Sequence, residues 1–417
     1  MKKIIYCLFL IIILLFSSCQ DNGSTAKTTV DFWHVMGGPA DEALTELVSR
    51  FNNDNPDIKI VLVSVGNYEQ LSQKLMAATK NPPVMSQVYE SWTSEFYDAG
   101  LLTPIENLCT EEYLEDIRSD IFPILIKDNT FSGKLVSMPF NKSVPAYFYN
   151  DDLYKKNGIS SFPVNWEEFK SDMKKMTYDE NGDKEIDIHG TAFNVNVWLF
   201  ECRLFQYGGE LTDSNLNPMF QSKSGIRAVQ DDYDMIEKDK SAYITTGYQH
   251  QDDFLSKKIT TMTGSCVSLS FIQASNPDFT LRIAPVPAGD KQAVVISGTN
   301  VAIFNKATKE QQDAAMKFIQ FFTSTKSQAF WSYKTGYLPV RRSSLSDTLL
   351  VSRFAEVEGL RAVYEQIEHS YLEPQAKEWY IGRKLLGNAL EYALKNSKTI
   401  EKSLNDAAKE FNEELKR

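Results

Sequence analysis

The sequence predicts an α/β protein of two lobes, each a doubly wound, mainly parallel sheet flanked by helices. Three observations carry that expectation. The chain has 417 residues, more than one hydrophobic core usually serves. Apolar residues make up 42% of it and aromatic residues 12%, ample for large cores. Apolar spacing alternates between a two-residue and a 3.6-residue period through the first hundred residues, and the pattern restarts after residue 139.

The elements follow in order. Val30 and Phe32 open a strand that stops near Gly37-Gly38-Pro39. Leu44, Leu47, Val48 and Phe51 then fall on one helical face, which Asn53 to Pro56 ends. Ile58, Ile60 and Leu62 alternate as a second strand. Leu71, Leu75 and Ala78 mark a helix broken by Pro82-Pro83, and Val84 to Tyr89 is a short strand that delivers Glu90 at its end. Strand, helix, strand, helix, strand in that order winds a parallel sheet. Past residue 139, Val144 to Asn150 reads as a strand, and Asp151 to Asn157 as a helix closed by Gly158. Asn165 caps a helix whose first turn carries Glu167 and Glu168. Ile259 to Met262 and Val294 to Phe304 are strand-like. Ala314, Ala315, Phe318, Ile319 and Phe322 form one helical face, and Leu404, Ala408, Phe411 and Leu415 another.

Charge and export signals narrow the function. The formal net charge is −11, and it becomes −13 without the first 18 residues, which carry two lysines and no acid. With no basic tract, such a chain is unsuited to nucleic acid or anionic membrane surfaces. Lys2 and Lys3 precede an apolar run from Ile4 to Phe16 and then Ser17-Ser18-Cys19. That is the layout of a secretory signal, too short to span a bilayer, for which about 20 apolar residues are needed. Small residues before a cysteine resemble the bacterial lipobox, which makes Cys19 the expected lipidation site and new N-terminus. Residues 19–27 then read as a flexible tether. No later run of 18 apolar residues occurs. Cys109, Cys202 and Cys266 are widely spaced and form no zinc motif. One disulfide among them is geometrically allowed, but isolated apolar side chains are the favoured reading.

Several segments spread over the mature chain resemble the extracellular solute-binding proteins of ABC importers. They are Tyr147-Phe148-Tyr149-Asn150-Asp151-Asp152-Leu153, Pro163-Val164-Asn165-Trp166-Glu167-Glu168-Phe169 and Lys334-Thr335-Gly336-Tyr337-Leu338-Pro339. Phe32-Trp33-His34-Val35-Met36, Gly66-Asn67-Tyr68-Glu69-Gln70, Gln87-Val88-Tyr89-Glu90 and Pro139-Phe140-Asn141-Lys142-Ser143 are similar to the branch that binds sn-glycerol 3-phosphate and its diesters. The resemblance implies a periplasmic-binding-protein fold whose lobes hinge around a ligand that a membrane permease then receives. It implies lobe one at residues 28–139 and 299–324, lobe two at 144–295 and 326–417, with crossovers near Phe140, Gly298 and Thr325. It implies a ligand held by Tyr68, Glu90, Ser143, Ser265, Gly298, Tyr337 and Arg383. The chain departs from that branch in two places. Thr261-Met262-Thr263-Gly264-Ser265-Cys266 has fewer consecutive serines, and the tryptophan-rich segment before the middle helices is reduced to Trp198 beside Asn194 and Asn196.

The implied residues make chemical sense for a phosphorylated polyol. Arg383 can offer a planar two-pronged contact to phosphate, and three hydroxyls with the Gly298 N–H can add neutral donors. Glycine at 298 lets the backbone approach a ligand. Glu90, an acceptor only, suits glycerol hydroxyls. On this reading Arg383→Ala weakens phosphate binding with little loss of stability. Trp33 and Trp198 are candidate cleft aromatics and equally candidate core residues, while Trp166 and Trp331 read as packing.

Other classes fit less well. The four histidines, at 34, 189, 250 and 369, sit in no acid–base or metal motif, and no nucleophile elbow or phosphate-cradling loop is present. No enzyme, cofactor or metal is expected. Asp179, Asn181, Asp183, Glu185 and Asp187 alternate like a calcium loop, but Lys184 stands at the glycine position and Gly190 at the chelating one. A solvated acidic turn is the favoured reading. The expected protein is a monomeric, exported, lipid-anchored receptor for a small phosphorylated polyol, with an oligosaccharide or other polyol as the alternative ligand.

Overall fold

A computed structural model describes residues 27–416; the signal segment, Cys19 and the tether up to residue 26 lie outside them. The first sheet runs in the spatial order Ile58–Ser64, Thr28–His34, Met85–Val88, Asn300–Phe304, Leu102–Thr103, with Met138–Pro139 also paired to Asn300–Phe304. The second runs Ala242–Thr245, His189–Asn194, Ile259–Ser265, Pro145–Asn150, Leu281–Ala284. The two-lobed α/β expectation is met.

The parallel character is only half the picture. The three N-terminal strands are parallel to one another, but Asn300–Phe304 is antiparallel to each of its partners. In the second sheet, Pro145–Asn150 is likewise antiparallel to both neighbours. Each of these strands enters its sheet from the other lobe, not through a helix on the same sheet. The crossover geometry that forces parallel pairing is therefore missing there.

Local signals worked as expected. Leu44, Leu47, Val48 and Phe51 are buried on the helix Pro39–Asp54, and Ala314, Ala315, Phe318, Ile319 and Phe322 on Lys309–Phe322. The helix Tyr68–Ala77 begins with a reciprocal cap between Asn67 and Gln70, which fixes where Tyr68 leaves the backbone. Asn165 caps Trp166–Lys175 by accepting from the Glu168 N–H. Trp166 and Trp331 are packing residues, and Trp331 stacks flat on Tyr337 at 5.6 Å. The expected strand Val294 to Phe304 divides instead into Val294–Val295 and Asn300–Phe304. Gly298 at φ +107° turns the chain between them. The three cysteines remain thiols, two of them buried. In the acidic turn, Asp179 accepts the N–H groups of Asn181, Gly182 and Lys184, and Asp187 those of Glu180 and Asn181.

Two crossing segments run side by side between the sheets. Ser143 and Ser297 exchange both backbone hydrogen bonds, at 2.9 and 3.0 Å. The Leu338 N–H donates to the Lys142 carbonyl at 2.8 Å. Everything that follows is arranged around this junction.

Candidate functional site

Asn141 lies on the first crossing segment and is buried. Its Nδ2 donates to the Tyr68 hydroxyl at 3.0 Å and to the Tyr337 hydroxyl at 3.1 Å. Its Oδ1 accepts from the Thr299 N–H at 3.0 Å and from Gln87 Nε2 at 3.3 Å. Both tyrosine oxygens thus act as acceptors toward Asn141, which leaves each phenolic hydrogen free to donate elsewhere. Burial raises the pKa of both phenols, so they stay protonated donors at neutral pH. Gln87 completes the clamp, accepting from the Val35 N–H at 2.6 Å and donating to Thr299 Oγ1 at 2.9 Å.

The next residue, Lys142, is fully buried. Its ammonium meets Asp128 at 2.7 Å, Glu90 at 2.8 Å and the Gly298 carbonyl at 3.2 Å. Burial alone would lower its pKa, but the two carboxylates outweigh that and raise it. Asp128 is driven the other way from an ordinary carboxylate, up to about 7, by burial first and the Glu90 charge second. One ammonium is therefore shared between Glu90 and Asp128, and burial makes Asp128 ready to take a proton. Glu90 Oε1 also accepts from Asn300 at 3.3 Å, while its side chain stays partly open to the crevice.

Arg383 projects from near the start of the helix Trp379–Leu394, as its fifth residue. Its Nε lies 3.3 Å from Glu373 Oε1 and 4.0 Å from Glu201 Oε1. Glu201 exposes nothing and faces the carboxyl group of Glu373. Burial, with Glu373 nearby, raises its pKa far above the carboxylate range, so it is held neutral. Glu373 is raised too, by burial, with Arg383 opposing. The guanidinium side chain remains 42% exposed.

These groups border two adjoining cavities of about 480 and 890 Å³. Tyr68, Tyr89, Ser297 and Gly298 line both and form the waist between them. The smaller contains Glu90, Asp128, Glu373 and Arg383. The larger contains Asn141, Ser143, Ser265 and Tyr337. All seven expected ligand residues therefore border one continuous crevice. Ser265 Oγ accepts from the Val267 N–H at 3.3 Å. The Gly298 N–H has no partner among the described residues.

Two expectations need correction. Trp33 lines neither cavity: its Nε1 donates to Asp31 at 3.1 Å and Lys74 sits 3.9 Å above its ring. Strand alternation puts it on the half-buried face with Asp31, opposite the fully buried Phe32 and His34. Trp198 does line the larger cavity, with Nε1 donated to the Val295 carbonyl at 2.7 Å. The reason for glycine at 298 is also different. A Cβ there would lie 1.9 Å from the Asn141 carbonyl oxygen, so the close approach is between the two crossing segments.

Sequence reasoning missed Asn141, Lys142, Asp128, Glu373 and Glu201. Lys142 and Asp128 give no local signal, because their burial comes from the crossing. Glu201 does give one: it is the single acid in the mostly apolar helix Val197–Gln206, which also buries Arg203 and Gln206.

Residues 46–352 match the family of bacterial extracellular solute-binding proteins, and the chain belongs to that family. It is a binding protein, not an enzyme. Among its relatives, the sn-glycerol-3-phosphate-binding periplasmic protein UgpB of Escherichia coli K12 is 26% identical, over 94% of this chain and 93% of that protein. The counterpart in Shigella dysenteriae matches equally. The fold is also that of UgpB from Mycobacterium tuberculosis, crystallised with glycerophosphocholine (TM-score 0.81, 24% identity, 93% of this chain and 98% of that one). It is equally that of the cyclic α-maltosyl-1,6-maltose binding protein of Arthrobacter globiformis (TM-score 0.80, 22% identity, 94% and 100%). Among the described residues, no helix is long and apolar enough to cross a membrane.

Proposed function

We propose that this protein captures sn-glycerol 3-phosphate or a glycerophosphodiester between its lobes and hands it to the permease of an ABC importer. One observation carries the reading: the Arg383 guanidinium and the Glu90 carboxylate border the same cavity. That pairing suits a ligand with an anion at one end and alcohols at the other. The phenolic hydroxyls of Tyr68 at the waist and Tyr337 in the larger cavity, with the free Gly298 N–H, add donors. A bridging ligand would favour lobe closure because it contacts both sides. On this reading the lobes divide near Phe140 and Gly298, with the stretch after Thr325 still packed on lobe one through Phe330 against Arg50 and Arg341 against Asp116 and Asp120, and a lipid on Cys19 holds the monomer at the cell envelope.

A second reading keeps the role but changes the ligand to an oligosaccharide or other polyol. It draws on Arg383 being engaged by Glu373 and on a crevice larger than glycerol phosphate requires. Calorimetric titration of the purified protein with glycerol 3-phosphate, glycerophosphodiesters and maltose separates the two. Micromolar or tighter phosphate binding with no maltose response is expected. Tight maltose binding and silence toward every phosphate would reject the proposal.

A further inference from the structure

The larger cavity differs in kind from the smaller one. Among the described residues no Asp, Glu, Lys or Arg lines it. His250 is its single titratable imidazole, and burial lowers that pKa, so the arm is uncharged at neutral pH. Beyond Asn141 and the hydroxyls already described, three further amides line it. Asn194 donates Nδ2 to the Gly247 carbonyl at 2.9 Å, leaving Oδ1 as an open acceptor. Asn196 accepts from the Trp198 N–H with Oδ1 at 2.9 Å, leaving Nδ2 as an open donor. Gln251 has no side-chain partner among the described residues and offers both. Aromatic faces flank them: Tyr248 is 79% exposed, Phe271 43%, and Trp198 closes the inner end.

We propose that this arm is a subsite for a neutral polyhydroxylated group, so that the preferred ligand is a phosphodiester whose second alcohol is a polyol or sugar. The inference rests on the phosphate reading above and adds the identity of the substituent. Each hydroxyl of a polyol is donor and acceptor at once, and it can satisfy an open carbonyl and an open amide N–H together. A trimethylammonium head makes no hydrogen bonds. It would cover Asn194, Asn196 and Gln251 without partnering them, and a site built for hydroxyls discriminates strongly against groups that lack them. Aromatic faces can cover a quaternary ammonium as well as a sugar ring, so the open amides carry the discrimination. The aromatic faces suit the C–H face of a sugar or cyclitol ring.

The test is calorimetry on the intact exported protein with glycerol 3-phosphate, glycerophosphoglycerol, glycerophosphoinositol and glycerophosphocholine, repeated on Gln251→Ala and Asn194→Leu. Gln251 makes no side-chain bond, so its removal should leave the melting temperature unchanged. The neutral polyol diesters should bind at least tenfold more tightly than the choline diester. Both variants should erase that margin and leave glycerol 3-phosphate affinity within about twofold. Equal or tighter choline diester binding, or a margin that both variants preserve, overturns the subsite. Should glycerol 3-phosphate and all diesters give no heat, the phosphate reading itself fails and takes this one with it.

Discussion

Replacing Arg383 with Met tests the functional reading where charge and scaffold meet. A charge-assisted hydrogen bond contributes about 1.5–3 kcal/mol, so losing a two-pronged contact at the lower bound removes about 3 kcal/mol. That is roughly a hundredfold in affinity for glycerol 3-phosphate. A neutral sugar should lose nothing. The early expectation that stability would barely move needs revision, because Arg383 also faces Glu373 and the wholly buried Glu201. Breaking a fully buried ion pair costs about 3–5 kcal/mol. Here Glu201 is already neutral and Arg383 is part-exposed, so the cost should fall below that range, a drop of several degrees in melting temperature. The deficit should grow from pH 5 to pH 8. Without Arg383, a Glu373 buried with a raised pKa is more easily kept protonated at the lower pH. Calorimetry with paired thermal melts at both pH values reads these effects. An Arg383→Met protein that melts earlier but holds glycerol 3-phosphate as tightly as before would refute the anion-binding role and leave only the structural one.

Two further substitutions probe the junction. Asp128 titrates at about 7 in the folded protein against 3.8 ordinarily. The folded state therefore keeps a proton the unfolded chain gives up, and stability falls as pH rises from about 4 through 7. Asp128→Asn should lose that slope and gain on the parent between pH 5 and pH 8 in urea denaturation; identical slopes would show that Asp128 is ionised throughout. Gly298→Ala places a methyl 1.9 Å from the Asn141 carbonyl oxygen at φ +107°. It should lower stability by more than about 2 kcal/mol, and an unchanged melting temperature would mean that the crossing segments are not held this closely.

What the sequence by itself determined is local. Apolar faces such as Leu44 to Phe51 and caps such as Asn67 and Asn165 depend on neighbours a few positions away, and those can be read from spacing. The end of a short strand put Glu90 at the crevice by the same logic, and motif likeness pointed to Tyr68, Tyr337 and Arg383, which border it too. The tertiary structure decided what holds them. Asn141 binds tyrosines 73 and 196 positions distant. Lys142 is charged and buried only because Asp128 and Glu90 arrive from elsewhere. The antiparallel strands take their direction from the crossing between lobes. Long-range pairing has no period to read, since it depends on where the chain returns, and the free energy of a buried charge is set by the partners it meets there.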